Sequence, residues 1–131
     1  MDPEELLRAA LEAYVRRDVD ATMEFLTDDV EVVPAIGAVI EGRVFRGREG
    51  VEQFYASLDE MWRDFSLELG EVRVDGDRVL TLGRVRAKAA ESGLPFDEAI
   101  ASITELRDGK IARWETFLGY ERALTLFRRD P

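Results

Sequence analysis

The chain has 131 residues, 46% of them apolar, which fits one domain with a real core and argues against disorder. Its formal net charge is −10 and its pI is about 4.6, which weighs against nucleic acid and anionic membrane as partners. It has no Cys and no His, so disulfides, thiolate nucleophiles and imidazole chemistry are excluded.

Any proton transfer must then use Asp, Glu, Tyr, Lys or water. A zinc site is disfavoured, and no cofactor is expected. The acidic start, Met1-Asp2-Pro3-Glu4-Glu5, lacks the apolar stretch of a signal peptide. No apolar run approaches the ~20 residues of a membrane span, so a cytoplasmic location is expected.

In chain order, Asp2 is placed to cap a helix with Pro3 in its first turn. Leu6, Leu7, Ala10, Leu11, Tyr14 and Val15 recur at helical spacing behind it. Asp18-Val19-Asp20 recaps a short second helix carrying Met23, Phe25 and Leu26, which Thr27-Asp28-Asp29 ends. Val30 to Val33 reads as a short strand stopped by Pro34. Residues 34–46 form a long apolar loop with two glycines, suited to a lid, a dimer contact or a small hairpin. Gly47 opens a third helix with Val51, Phe54, Tyr55, Leu58, Met61 and Trp62 on one stripe. Four strands follow at about 65–74, 78–89, 95–106 and 111–118, with hairpin turns at Asp75-Gly76 and Asp108-Gly109. Ser92 to Pro95 makes a looser turn, and Tyr120 to Arg129 is a final helix. The order predicts an α+β fold with helices packed on a curved antiparallel meander.

Several segments carry a family resemblance over nearly the whole chain. They are Ala13-Tyr14 through Arg17-Asp18-Val19-Asp20-Ala21, Thr27 to Glu31, Phe45 to Val51, Gly76 to Leu80, Leu106 to Ile111, and Arg122-Ala123-Leu124. The chain resembles the SnoaL-like branch of the nuclear transport factor 2-like superfamily. That resemblance implies a single domain over residues 1–131, built as a cone-shaped barrel of three N-terminal helices on a curved sheet. It also implies a homodimer. It does not imply one reaction, because the fold hosts isomerases, cyclases, dehydratases, hydrolases and non-catalytic binders.

Ketosteroid isomerases are the sharpest comparison within that resemblance. Their first-helix Tyr-Val matches Tyr14-Val15, and their third-helix Phe-Tyr matches Phe54-Tyr55. Their catalytic base falls on Val33, before Pro34, and their protonated Asp falls on Thr104. The isomerase mechanism is left without a proton acceptor. The Asp-Arg-Asp set of limonene epoxide hydrolases has only a loose echo in Arg84 or Arg86 with Glu68 and Glu98.

Alternation groups Leu80, Leu82, Arg84 and Arg86 on one face. The isomerase comparison makes that face the pocket wall, beside Phe96, Glu98, Ile100, Ser102, Thr104 and Leu106, and then Trp114, Thr116 and Leu118. In the functional reading Tyr14 and Tyr55 donate hydrogen bonds, Arg84 stabilises charge, and Glu98 is the candidate base. Val33, Phe54, Trp62, Leu82, Arg86, Ser102, Thr104, Trp114, Thr116 and Leu118 form the binding wall. In the structural reading the arginines lie at a rim or an interface in ion pairs, and the tyrosines and tryptophans are core. The expected partner is a small hydrophobic, oxygen-bearing molecule of polyketide, terpene or steroid kind. The alternative is a non-catalytic carrier or dimerising scaffold.

Overall fold

The computed structural model describes residues 1–35 and 43–129. Asp2 caps α1 (Pro3–Val15), its carboxylate accepting the Glu5 N–H at 2.8 Å, with Glu4 and Glu5 at the positive end of the helix dipole. Asp18 caps α2 (Val19–Met23) through the Ala21 N–H at 3.0 Å. The expected extension of this helix to Leu26 does not occur. Leu26 opens β1 (Leu26–Val33), where Leu26, Val30 and Val32 turn to the core and Asp28 and Asp29 stay in solvent. β2 (Phe45–Arg46) returns antiparallel to β1, with Phe45 opposite Val32. The expected lid, dimer contact or hairpin of the apolar loop falls mainly on residues 36–42, which lie outside the described residues.

α3 (Gly47–Met61) packs closely on β2: a Cβ at Gly50 would lie 2.6 Å from the Phe45 carbonyl carbon. Trp62 begins β3 (Trp62–Asp75) and is not part of the helical stripe. β4 (Arg78–Ala89), β5 (Pro95–Arg107), β6 (Lys110–Leu118) and α4 (Glu121–Arg129) complete the chain. Gly76 and Gly109, with φ of +60° and +76°, make the two tight turns expected for Asp-Gly pairs.

The six-stranded sheet runs β2-β1-β6-β5-β4-β3. β1 lies parallel to β6 and every other pair is antiparallel, so the sheet is mixed. It curves, but it does not close into a barrel: β2 and β3 remain as edges. Helices α1 to α3 cover the inner face with Leu6, Ala10, Tyr14, Val51, Phe54, Tyr55 and Leu58. The fourth helix covers part of the outer face, where Ala123, Leu124, Leu126 and Phe127 meet Leu80, Leu82, Ala101 and Phe117. Arg78 ties α4 down, donating to the Phe127 carbonyl at 2.7 Å with its guanidinium 4.7 Å from the Phe127 ring centre.

Register corrects the expected face of β4. Thr81 pairs with Ser102, Val79 with Thr104, and Gly83 with Ile100, so Val79, Thr81, Gly83 and Val85 share the inner face with Ser102 and Thr104. Leu80, Leu82, Arg84 and Arg86 point outward. There Arg84 pairs with Asp97, and Arg86 bridges Asp97 and Glu68. The Arg84 contact holds the Asp97 carboxyl below its ordinary value, with Arg86 adding to the effect.

Candidate functional site

Two small cavities lie between the helices and the inner face of the sheet. The first, about 30 Å³, is walled by side chains from α1, α3 and β1, with Tyr55, Thr22 and Ile111 among them. The second, about 40 Å³, opens toward β3, β4 and β5, between Leu67, Thr81, Ile100 and Ser102. Leu11, Tyr14, Phe54 and Trp114 belong to both walls. Among the described residues, no Asp, Glu, Lys or Arg lines either cavity.

Tyr14 is the focus of the site. It comes from the last turn of α1 and is 5% exposed, yet its hydroxyl has no hydrogen-bond partner among the described residues. Burial pushes its pKa up, against a downward pull from Arg17, so the phenol stays protonated and able to donate. Trp114 brings a second donor: its indole N–H is buried without a partner among the described residues. The Trp114 and Tyr14 rings stand edge to face with centres 4.9 Å apart. Thr104, fully buried beside Trp114 in the sheet register, also has an unpartnered hydroxyl but lines neither cavity. Thr81 and Ser102 hydrogen-bond to each other across β4 and β5. Thr116 accepts the Ala35 N–H at 2.7 Å.

Tyr55 behaves differently. The Thr22 hydroxyl donates to the Asp18 carbonyl at 2.7 Å. Its single proton is thereby used, so the 2.8 Å contact with Tyr55 has the Tyr55 O–H donating to Thr22. Tyr55 therefore has no proton left for Tyr14 or a ligand, which corrects its expected role as a donor in the site. Burial pushes the Tyr55 pKa up to about 12.

Arg17 stands behind the tyrosines. Its guanidinium lies 5.1, 5.8 and 4.6 Å from the ring centres of Tyr14, Tyr55 and Phe65. It donates to the Tyr14 carbonyl at 2.8 Å and to Asp59 at 3.2 Å.

Of the residues singled out from sequence, the structure gathers Tyr14, Tyr55, Phe54, Trp114, Ile100, Ser102 and Thr116 around the cavities. It places the others elsewhere. Val33 pairs with Glu115 at the end of β1, and its neighbour Val32 takes the cavity position. Trp62 packs against Phe96 at 4.9 Å, away from both cavities. Leu82 belongs to the outer layer under α4, and Leu118 is exposed beside α4. Arg84 and Arg86 are on the outer face, and the carboxylate they share is Asp97, not Glu98, which is exposed. Leu11, Thr81 and Arg17 were missed. Thr81 was detectable as a lone hydroxyl in an apolar run, placed to face Ser102.

The chain belongs to the family described as the SnoaL-like domain, which matches residues 7–114. Among solved structures it is similar to a nuclear transport factor 2-like protein of unknown function from Burkholderia pseudomallei, at 21% identity and a TM-score of 0.79, with 94% of this chain and 95% of that one covered. It is similar to TerC, co-crystallised with polyporic acid, at 23% identity and a TM-score of 0.77, with 95% and 96% covered. It is also similar to wild-type IdmH from Streptomyces antibioticus, provisionally described as a polyketide cyclase, at 19% identity and a TM-score of 0.76, with 98% and 99% covered. At these identities the likeness establishes the α+β fold. No curated protein matches the chain. Among the described residues, no helix is long and apolar enough to cross a membrane.

Proposed function

We propose that the domain is a binding chamber for a small, neutral, mainly apolar molecule carrying one or two oxygen atoms. Any turnover there rests on hydrogen-bond donation by Tyr14 and Trp114, with no carboxylate base. One observation carries this reading: two residues of the mainly apolar wall, which carries no charged side chain, bear donors without a partner among the described residues, and an oxygen acceptor is the group that completes them. A charged ligand is disfavoured, because nothing in the lining compensates its desolvation. Two of the similar structures are described by a small-molecule ligand or a reaction on one, which supports the same kind of use here.

The test is a pair of conservative variants titrated with phenol and followed by tryptophan fluorescence. Tyr14→Phe removes a hydroxyl with no partner among the described residues. Stability is expected to stay within about 0.5 kcal/mol, while phenol binding weakens by roughly 3- to 10-fold, the worth of one hydrogen bond. Tyr55→Phe is the opposite case. It loses the Thr22 contact and is expected to cost about 1 kcal/mol of stability with phenol affinity unchanged. Unaltered phenol binding by Tyr14→Phe contradicts the proposal.

A further inference from the structure

The two cavities share a wall, and that wall is mostly aromatic. The Tyr14 and Phe54 rings meet at 84° with centres 5.9 Å apart, and Phe54 and Trp114 at 75° and 6.1 Å. With the Tyr14–Trp114 contact, the three rings form a septum between the lobes. Phe54 is the ring in it without a polar atom, so displacing it breaks no hydrogen bond. Neither lobe alone holds a six-membered ring. A cavity that takes benzene measures about 150 Å³, against about 30 and 40 Å³ here. A ligand of more than a few atoms must therefore occupy the septum's place.

We propose that Phe54 sets the length of the ligand: its ring divides one chamber into two lobes, and the side chain at position 54 decides whether a two-ring molecule is admitted. This rests on the binding-chamber reading above and adds a size rule to it. Phenol and 2-naphthol, one ring and two with the same hydroxyl, separate the two ideas. Each is titrated against the wild type, Phe54→Leu, Phe54→Ala and Leu58→Ala. The leucine variant keeps the experiment open where the alanine variant does not fold, and melting curves establish which variants are folded.

The expected result is that the Phe54 variants gain about tenfold or more in affinity for 2-naphthol. Phenol, whose single ring needs only part of the septum's place, should gain less, by about threefold at most. Leu58→Ala loosens the core at a buried residue that lines neither lobe, so its naphthol-to-phenol preference should match the wild type. An unchanged preference in the Phe54 variants overturns the size rule while phenol binding leaves the chamber standing. An equal gain in Leu58→Ala also overturns it. If no protein, the wild type included, binds either probe, the size rule and the chamber reading fall together.

Discussion

Arg17→Ala is expected to lower stability by about 2–4 kcal/mol and the melting temperature by roughly 8–15 °C. The side chain is only 13% exposed and contacts three parts of the fold at once. It covers Tyr14 of α1, Tyr55 of α3 and Phe65 of β3, and it donates to the Tyr14 carbonyl at 2.8 Å. A desolvated cation over aromatic faces contributes up to about 2 kcal/mol, and a charge-assisted hydrogen bond about 1.5–3 kcal/mol. The ion pair adds little, because Asp59 is 64% exposed and stays hydrated without its partner. The backbone supplies an internal control. Arg17 has φ +58°, a conformation that costs an L-residue about 1–2 kcal/mol. Arg17→Gly should therefore be more stable than Arg17→Ala, reversing the usual order at a helix end. Chemical denaturation of both variants checks this, and a loss under 1 kcal/mol for Arg17→Ala contradicts the account.

Gly83→Val is expected to cost about 3 kcal/mol or more, with Gly83→Ala intermediate. A Cβ at this position collides with the Glu68 carbonyl oxygen, and it lies 3.3 Å from the Glu68 carbonyl carbon and 3.4 Å from the Leu69 Cα. All three atoms are backbone, so no side chain can move aside. The crowding arises because β3 breaks register between Leu69 and Glu71, which brings its chain over Gly83. Gly83 also accepts the Tyr120 hydroxyl through its carbonyl at 2.7 Å, so parting β3 from β4 disturbs the approach to α4 as well. Urea denaturation reads the loss. A Gly83→Ala variant within 0.5 kcal/mol of wild type, an order-of-magnitude threshold for a neutral surface change, contradicts this packing.

What the sequence made legible follows the strength of the local chemistry. Asp2 and Asp18 are caps, Asp75-Gly76 and Asp108-Gly109 are turns, and the α3 stripe runs from Val51 to Leu58. Each depends on a few neighbouring residues. The face of β4 does not. Val79, Leu80, Thr81 and Leu82 are all buried, because α1 to α3 cover one side of that stretch and α4 the other. With both faces dry, alternation vanishes there and leucine gives no direction. The useful pattern lay further on, where exposed Arg84, Arg86 and Lys88 alternate with buried Val85 and Ala87. Carried back in steps of two, it puts Leu80 and Leu82 outward and Thr81 inward. The apolar residues of α4 also required an apolar patch to rest on.

The candidate site was half legible for a related reason. Tyr14, Phe54 and Tyr55 were found through the resemblance to the isomerase motifs on the first and third helices, and Trp114 through alternation along the last strand. The roles of the tyrosines were not separable from sequence. Asp18, Thr22 and Tyr55 form a relay that uses up the Tyr55 proton, and it exists only once α2 folds against α3. The parallel pairing of β1 with β6, which puts Val32 rather than Val33 beside Trp114, joins strands far apart in the chain.

The central claim is that the chamber is free of charge and completed by a neutral oxygen acceptor. The most direct measurement compares the wild type's affinity for phenol and for benzoate at pH 7, where the first is neutral and the second ionised. Phenol is expected to bind, and benzoate to bind at least about tenfold more weakly, since no cation among the described residues of the wall offsets the loss of hydration. Benzoate binding as tightly as phenol, or more tightly, contradicts it.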